Sequence, residues 1–157
     1  MELKTQVTAE KDRQEIFITR DFNIPVDALF TAFTDPKIVA QWMNTHVEKL
    51  ECQPHGSYRF VTTDQMGNEH GFNGVIHEII PQKRITRTFQ MESASFPVQL
   101  EYLDFKPIDT HKSLLTMHVI YQSVAVRDAI LKLPFVKGIN MAHNRLEQLL
   151  TSSQPAL

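Results

Sequence analysis

From Gly56 to Tyr121 the chain passes from one stretch rich in aromatic and β-branched residues to the next, with only short links between them. Parallel neighbours need crossovers of about a dozen residues or more, so strands joined this closely must run antiparallel, as a meander. The spacing predicts strands over Gly56–Thr63, Phe72–Ile80, Arg84–Met91, Val98–Phe105 and Ser113–Tyr121. Between them lie turn residues: Gly67–Asn68 and Gly71, Pro81–Gln82–Lys83, Glu92–Pro97 and Pro107–Thr110. An earlier strand starts at Arg13, where RQEIFITRDF sets Ile16 and Ile18 against Phe17 and Thr19. The first dozen residues are polar and read as loose.

Helical periodicity flanks this sheet on both sides. Pro25 suits a first helical position, and Val26, Leu29, Phe30 and Phe33 follow on one helical face. Asp35 is placed to cap a second helix that opens on Pro36 and carries Ile38, Val39, Trp42 and Met43. After the strands, Ser123 caps a short segment with Val126, Ile130 and Leu131, and Pro134 breaks it. From Phe135 one long helix places Ile139, Ala142, His143, Leu146 and Leu150 on a single face. That stripe has to be buried, and the sheet is the partner available. The expected fold is α+β: a curved antiparallel sheet around a long C-terminal helix, with two short helices after the first strand.

The segment PVDALFTAFTDPKIVAQWM, in this element order, resembles the START-like superfamily of helix-grip proteins. The closer resemblance is to the branch related to the C-terminal domain of the activator of the Hsp90 ATPase. It is carried by Thr34–Asp35–Pro36 with Trp42, and by Gly74–Val75 through Glu78, Pro81, Lys83–Arg84–Ile85 and Thr88–Phe89. The closing helix adds Gly138–Ile139, Arg145–Leu146 and Leu149–Leu150. Ile139 stands where that family's helix often begins with Trp, and His143 where an apolar residue is usual, so a more polar cavity is expected here. The resemblance implies three functions: binding of a small hydrophobic or amphipathic molecule, contact with an Hsp90-type chaperone, and cyclase- or dehydratase-like catalysis. It supplies no shared catalytic set, and ligand binding is the expectation adopted.

Composition bounds the alternatives. The 157 residues, 42% hydrophobic and 22% charged, are expected to form one domain over 1–157 with an ordered core of about 13–151. A net charge of −2 offers nucleic acid no overall attraction. No apolar run is long enough for membrane insertion, and the charged start MELKTQVTAEKDRQE does not read as a signal peptide, so a cytoplasmic location is expected. With Cys52 alone there is no intrachain disulfide, and Cys52 reads as a small buried hydrophobe rather than a nucleophile.

Catalytic motifs are not found. His77–Glu78 begins like a zinc-protease pattern, but Pro81 stands where the second histidine belongs. No metal, cofactor or catalytic residue is therefore assigned. The cavity is expected to be lined by Trp42, Phe60, Ile85, Arg87, Phe89, Met117, Val119, Tyr121, Ile139, His143 and Leu146. Strand members follow from period-two alternation and helix members from the apolar stripe. Arg87 shares the face of Ile85 and Phe89, either as an anchor for a ligand carboxylate or phenolate, or as a residue near the sheet rim that snorkels or pairs with a protein carboxylate. His143 is either a hydrogen-bonded core histidine or a contact to the ligand.

Overall fold

The protein is described by a computed structural model covering residues 3–152. Its elements are β1 (Gln6–Thr8), β2 (Glu15–Phe22), α1 (Val26–Thr34), α2 (Pro36–Trp42), β3 (His46–Leu50), β4 (Ser57–Thr63), β5 (Glu69–Ile80), β6 (Arg84–Met91), β7 (Gln99–Pro107), β8 (Ser113–Ile120), α3 (Val124–Leu131) and α4 (Phe135–Ser152). One eight-stranded sheet has the order β1-β2-β8-β7-β6-β5-β4-β3. Every neighbouring pair is antiparallel. After α1 and α2 the chain enters at the far edge as β3 and meanders back until β8 lies against β2. Register breaks between Val47 and Lys49 and between Ile76 and Glu78 add bend to the strands that carry them. The curved sheet and long closing helix make the helix-grip fold.

Local chemistry explains the helix boundaries. Asp35 accepts from the Lys37 N–H at 2.9 Å, capping α2, and Ser123 accepts from the Val126 N–H at 3.1 Å, capping α3. Pro25 is itself the cap of α1 rather than its first residue, because its backbone is still extended there. The Trp42 indole N–H donates to the Ala32 carbonyl at 2.7 Å, which ties α2 to α1. Helix α3 ends at Leu131 and α4 begins at Phe135, on either side of Pro134.

Two elements, β1 and β3, carry no signal in the sequence pattern. Strand β3 has a burial pattern without alternation and β1 is three residues long, so neither presents a periodic signal. Gln6–Thr8, read as loose, pairs with Phe17–Thr19 of β2. Just before it, Thr5 is 1% exposed and hydrogen-bonds to α4.

The main core fills the concave side of the sheet. The inward positions of β2, β6, β7 and β8 (Ile16, Ile18, Ile85, Leu103, Phe105, Leu115, Met117, Val119) meet Leu29, Phe30 and Phe33 of α1 and Leu146 of α4. A smaller cluster of Val39, Tyr58, Phe60 and Ile76 lies under α2.

Candidate functional site

Between the sheet and α4 the packing leaves a cavity of about 180 Å³. The sheet contributes Ile18, Arg87, Phe89, Gln99, Glu101, Met117 and Val119, with Tyr121 just past the end of β8. Phe33, Trp42 and Met43 close one side, and Phe135, Ile139, Ala142 and His143 of α4 close another.

Eight of the expected residues are brought together here: Trp42, Arg87, Phe89, Met117, Val119, Tyr121, Ile139 and His143. Three are not. Phe60 packs against Tyr58, with ring centroids 5.1 Å apart and the planes tilted by 40°, in the core under α2. Leu146 is fully buried in the main core, a turn beyond His143. Ile85 faces inward but pairs with Leu103, one inward position nearer Phe105, whose ring is met edge-on by Phe30 and Phe33. Alternation gives the face of a residue, and only the helices packed above decide which positions stay open.

The charged wall of the cavity is a closed pair. Arg87 and Glu101 are cross-strand partners, with Arg87 Nε donating to Glu101 Oε1 at 3.0 Å. Gln99 donates to the other carboxylate oxygen at 2.8 Å. The guanidinium also lies 5.3 Å from the Tyr58 ring centroid. Tyr58 reaches that position by crossing over Gly74 and donating to the Thr88 carbonyl; a Cβ on residue 74 would fall 2.0 Å from that carbonyl oxygen. Of the two roles weighed for Arg87, partner of a protein carboxylate is the one seen. Beside the pair, burial and then the field of Glu101 push the Tyr121 phenol above its ordinary range.

His143 closes the opposite wall, 2% exposed and edge-on to Phe22 at 5.5 Å. Its Nδ1 lies 2.9 Å from Thr5 Oγ1. Behind Thr5 stands Arg20, which donates to Thr5 Oγ1 at 3.3 Å, Asn144 Oδ1 at 2.7 Å and Glu147 Oε1 at 3.1 Å. Neither Glu101 nor Arg20 was singled out from the sequence. Both stand at inward-facing parity, Arg20 with Ile18 and Phe22, Glu101 with Leu103 and Phe105, and a charge at such a position was the available signal.

Burial holds His143 well below the ordinary imidazole value, to about 3, and Arg20 pushes in the same direction. The unfolded chain takes up this proton near pH ~6.5, so below that it binds more protons than the folded state. Stability should therefore fall as pH drops from about 6.5 towards 3, by at most ~1.4 kcal/mol per unit from this group. Urea unfolding across that window checks this, and His143→Phe should flatten the dependence.

Other chemistry is limited. The Cys52 thiol is half-buried, lies 3.5 Å from the Thr34 carbonyl oxygen, and is pushed above its ordinary range by burial. Among the described residues no group of three or more His, Cys, Asp or Glu side chains could hold a metal ion. No helix among them is long and apolar enough to cross a membrane.

The fold is shared with solved structures. A protein from Rhodobacter sphaeroides is 20% identical with a TM-score of 0.85, the match covering 94% of this chain and 99% of that one. One from Mycobacterium smegmatis is 19% identical with a TM-score of 0.85, covering 96% and 99%. DynU16, from the dynemicin biosynthetic locus, is 18% identical with a TM-score of 0.72, covering 90% of this chain and 49% of its own. At such identities the likeness is one of fold. Among curated proteins none matches this sequence. Residues 23–151 match the family described as Activator of Hsp90 ATPase homolog 1-like protein, and the chain belongs to that family, within the START-like superfamily.

Proposed function

We propose that this protein binds a small, largely apolar molecule between the sheet and α4. The observation that carries the proposal is the cavity itself: apolar over most of its wall, with polar groups confined to the Arg87–Glu101–Gln99–Tyr121 side and to His143. Ligand sites generally combine an apolar lining with a few placed polar groups. An engineered cavity of about 150 Å³ admits benzene, so about 180 Å³ suits a single substituted ring or a short chain.

The same groups argue against proton-transfer catalysis of the cyclase or dehydratase kind through His143. An imidazole held well below its ordinary value by burial is a weak proton acceptor at neutral pH. Arg87 and Glu101 are already engaged with each other. The family description favours one further reading, contact with an Hsp90-type chaperone; binding to purified Hsp90 with stimulated ATP hydrolysis would support it.

Native mass spectrometry of the purified protein tests for a retained small molecule, and calorimetric titration with toluene tests the cavity directly. Saturable toluene binding is expected in the native protein. Ala142→Phe, which fills the space from α4, is expected to abolish it while the protein remains folded. Toluene binding that survives this change would place the ligand elsewhere.

A further inference from the structure

We infer that the cavity selects an uncharged molecule whose oxygen acceptor meets the Nε2–H of His143, a ligand class that rests on the binding role proposed above. The residue that sets the tautomer of His143 is Thr5, on the far side of the ring from the cavity. Its hydroxyl is buried between Arg20 Nη1, at 3.3 Å, and His143 Nδ1, at 2.9 Å. A guanidinium can only donate, so Thr5 Oγ1 accepts from Arg20. The hydroxyl has one proton of its own, and the neighbour that can receive it is Nδ1. Were Nδ1 protonated instead, that hydroxyl proton would be buried without an acceptor, which is unfavourable. Nδ1 is therefore the acceptor, and the single proton of a neutral ring sits on Nε2.

Both ends of this relay are pinned by one face of α4. Asn140 Oδ1 accepts from the Thr5 N–H at 3.1 Å, while Asn144 and Glu147 hold Arg20. Thr5 and Arg20 thus occupy the Nδ1 side, and the ring lines the cavity with Nδ1 already committed. What His143 can still offer a ligand is a donor, never an acceptor or a cation. Burial against Phe22 and beside Trp42 keeps the ring neutral.

The opposite wall fixes the charge of the ligand. Arg87 spends its Nε on Glu101, and the pair carries no net charge. A carboxylate that reached the remaining N–H groups of Arg87 would lie against the Glu101 carboxylate, and no unpaired cation lines this largely apolar space to offset its desolvation. Aryl ketones, aldehydes and esters of one-ring size satisfy both walls; aromatic acids do not.

Three probes of similar size separate the possibilities: toluene without an acceptor, acetophenone with a neutral one, and benzoate with an anionic one. In the native protein acetophenone should bind about 3–10-fold more tightly than toluene, the margin of one neutral hydrogen bond. Benzoate should bind more weakly than toluene. His143→Phe keeps a ring there and removes the N–H, so acetophenone should lose its margin over toluene in that variant. A long-range proton–nitrogen correlation spectrum of the native protein reads the tautomer independently and should show the proton on Nε2. A proton on Nδ1, an equal margin in both proteins, or benzoate binding as well as acetophenone would overturn the inference and leave the cavity a binding site. Failure of both toluene and acetophenone to bind would remove the binding role, and the ligand class with it. If His143→Phe does not fold, the tautomer and the order of the three probes on the native protein decide.

Discussion

Glu147→Ala should destabilise the protein by about 3–5 kcal/mol, among the largest effects expected of any single exposed-to-buried boundary residue. Its carboxylate is the counter-charge of Arg20, whose side chain is 0% exposed, and the two meet at 3.1 Å. Lys4 lies 3.8 Å from the same carboxylate but is itself 65% exposed and contributes little. Without Glu147, a guanidinium remains buried with Asn144 and Thr5 as neutral partners, and its Nε already has no hydrogen-bond partner. Desolvation of that charge is then uncompensated. Because a domain of this kind has only about 5–15 kcal/mol of total stability, the loss should be plain in urea midpoints. The double change Arg20→Met with Glu147→Met removes both charges and should recover most of the loss, since apolar replacement of a buried pair is often neutral or better. A single variant within ~0.5 kcal/mol of the native protein would mean that water reaches Arg20.

The same residues mark where the sequence was readable. Alternation in Arg84–Met91 and Ser113–Tyr121, the short links between strands, and the stripes on α2 and α4 were enough for the meander, the closing helix and eight of the cavity residues. These signals are local, because burial on one side of a strand or helix imposes its own period. The partnerships were not local. Thr5 meets His143 across 138 residues and Arg20 meets Glu147 across 127, and no periodicity encodes either distance. Polar residues 1–12 carried no strand pattern, so β1 and the Thr5 relay were invisible. Arg87 was placed on the correct face, yet its partner sits one strand away, at a register set by the β6–β7 pairing. Ile85 shows the reverse failure: its face was correct, and Phe33 and Phe105 decided that its layer would be filled.

Arg87→Met should also destabilise by about 3–5 kcal/mol at neutral pH. The change keeps the volume of the side chain and strands the Glu101 carboxylate, 6% exposed, with Gln99 as its remaining donor. A buried carboxylate without its cation keeps the cost of desolvation and loses the attraction that offset it. Removing the stranded charge separates this effect from lost packing. Glu101→Gln in the Arg87→Met background keeps the shape of the side chain and takes the charge away, so it should recover most of the deficit in urea unfolding near neutral pH. A deficit that stays the same in the double variant would show that Arg87 stabilises the sheet through its packing on Tyr58, 5.3 Å away, and not through the charge of Glu101.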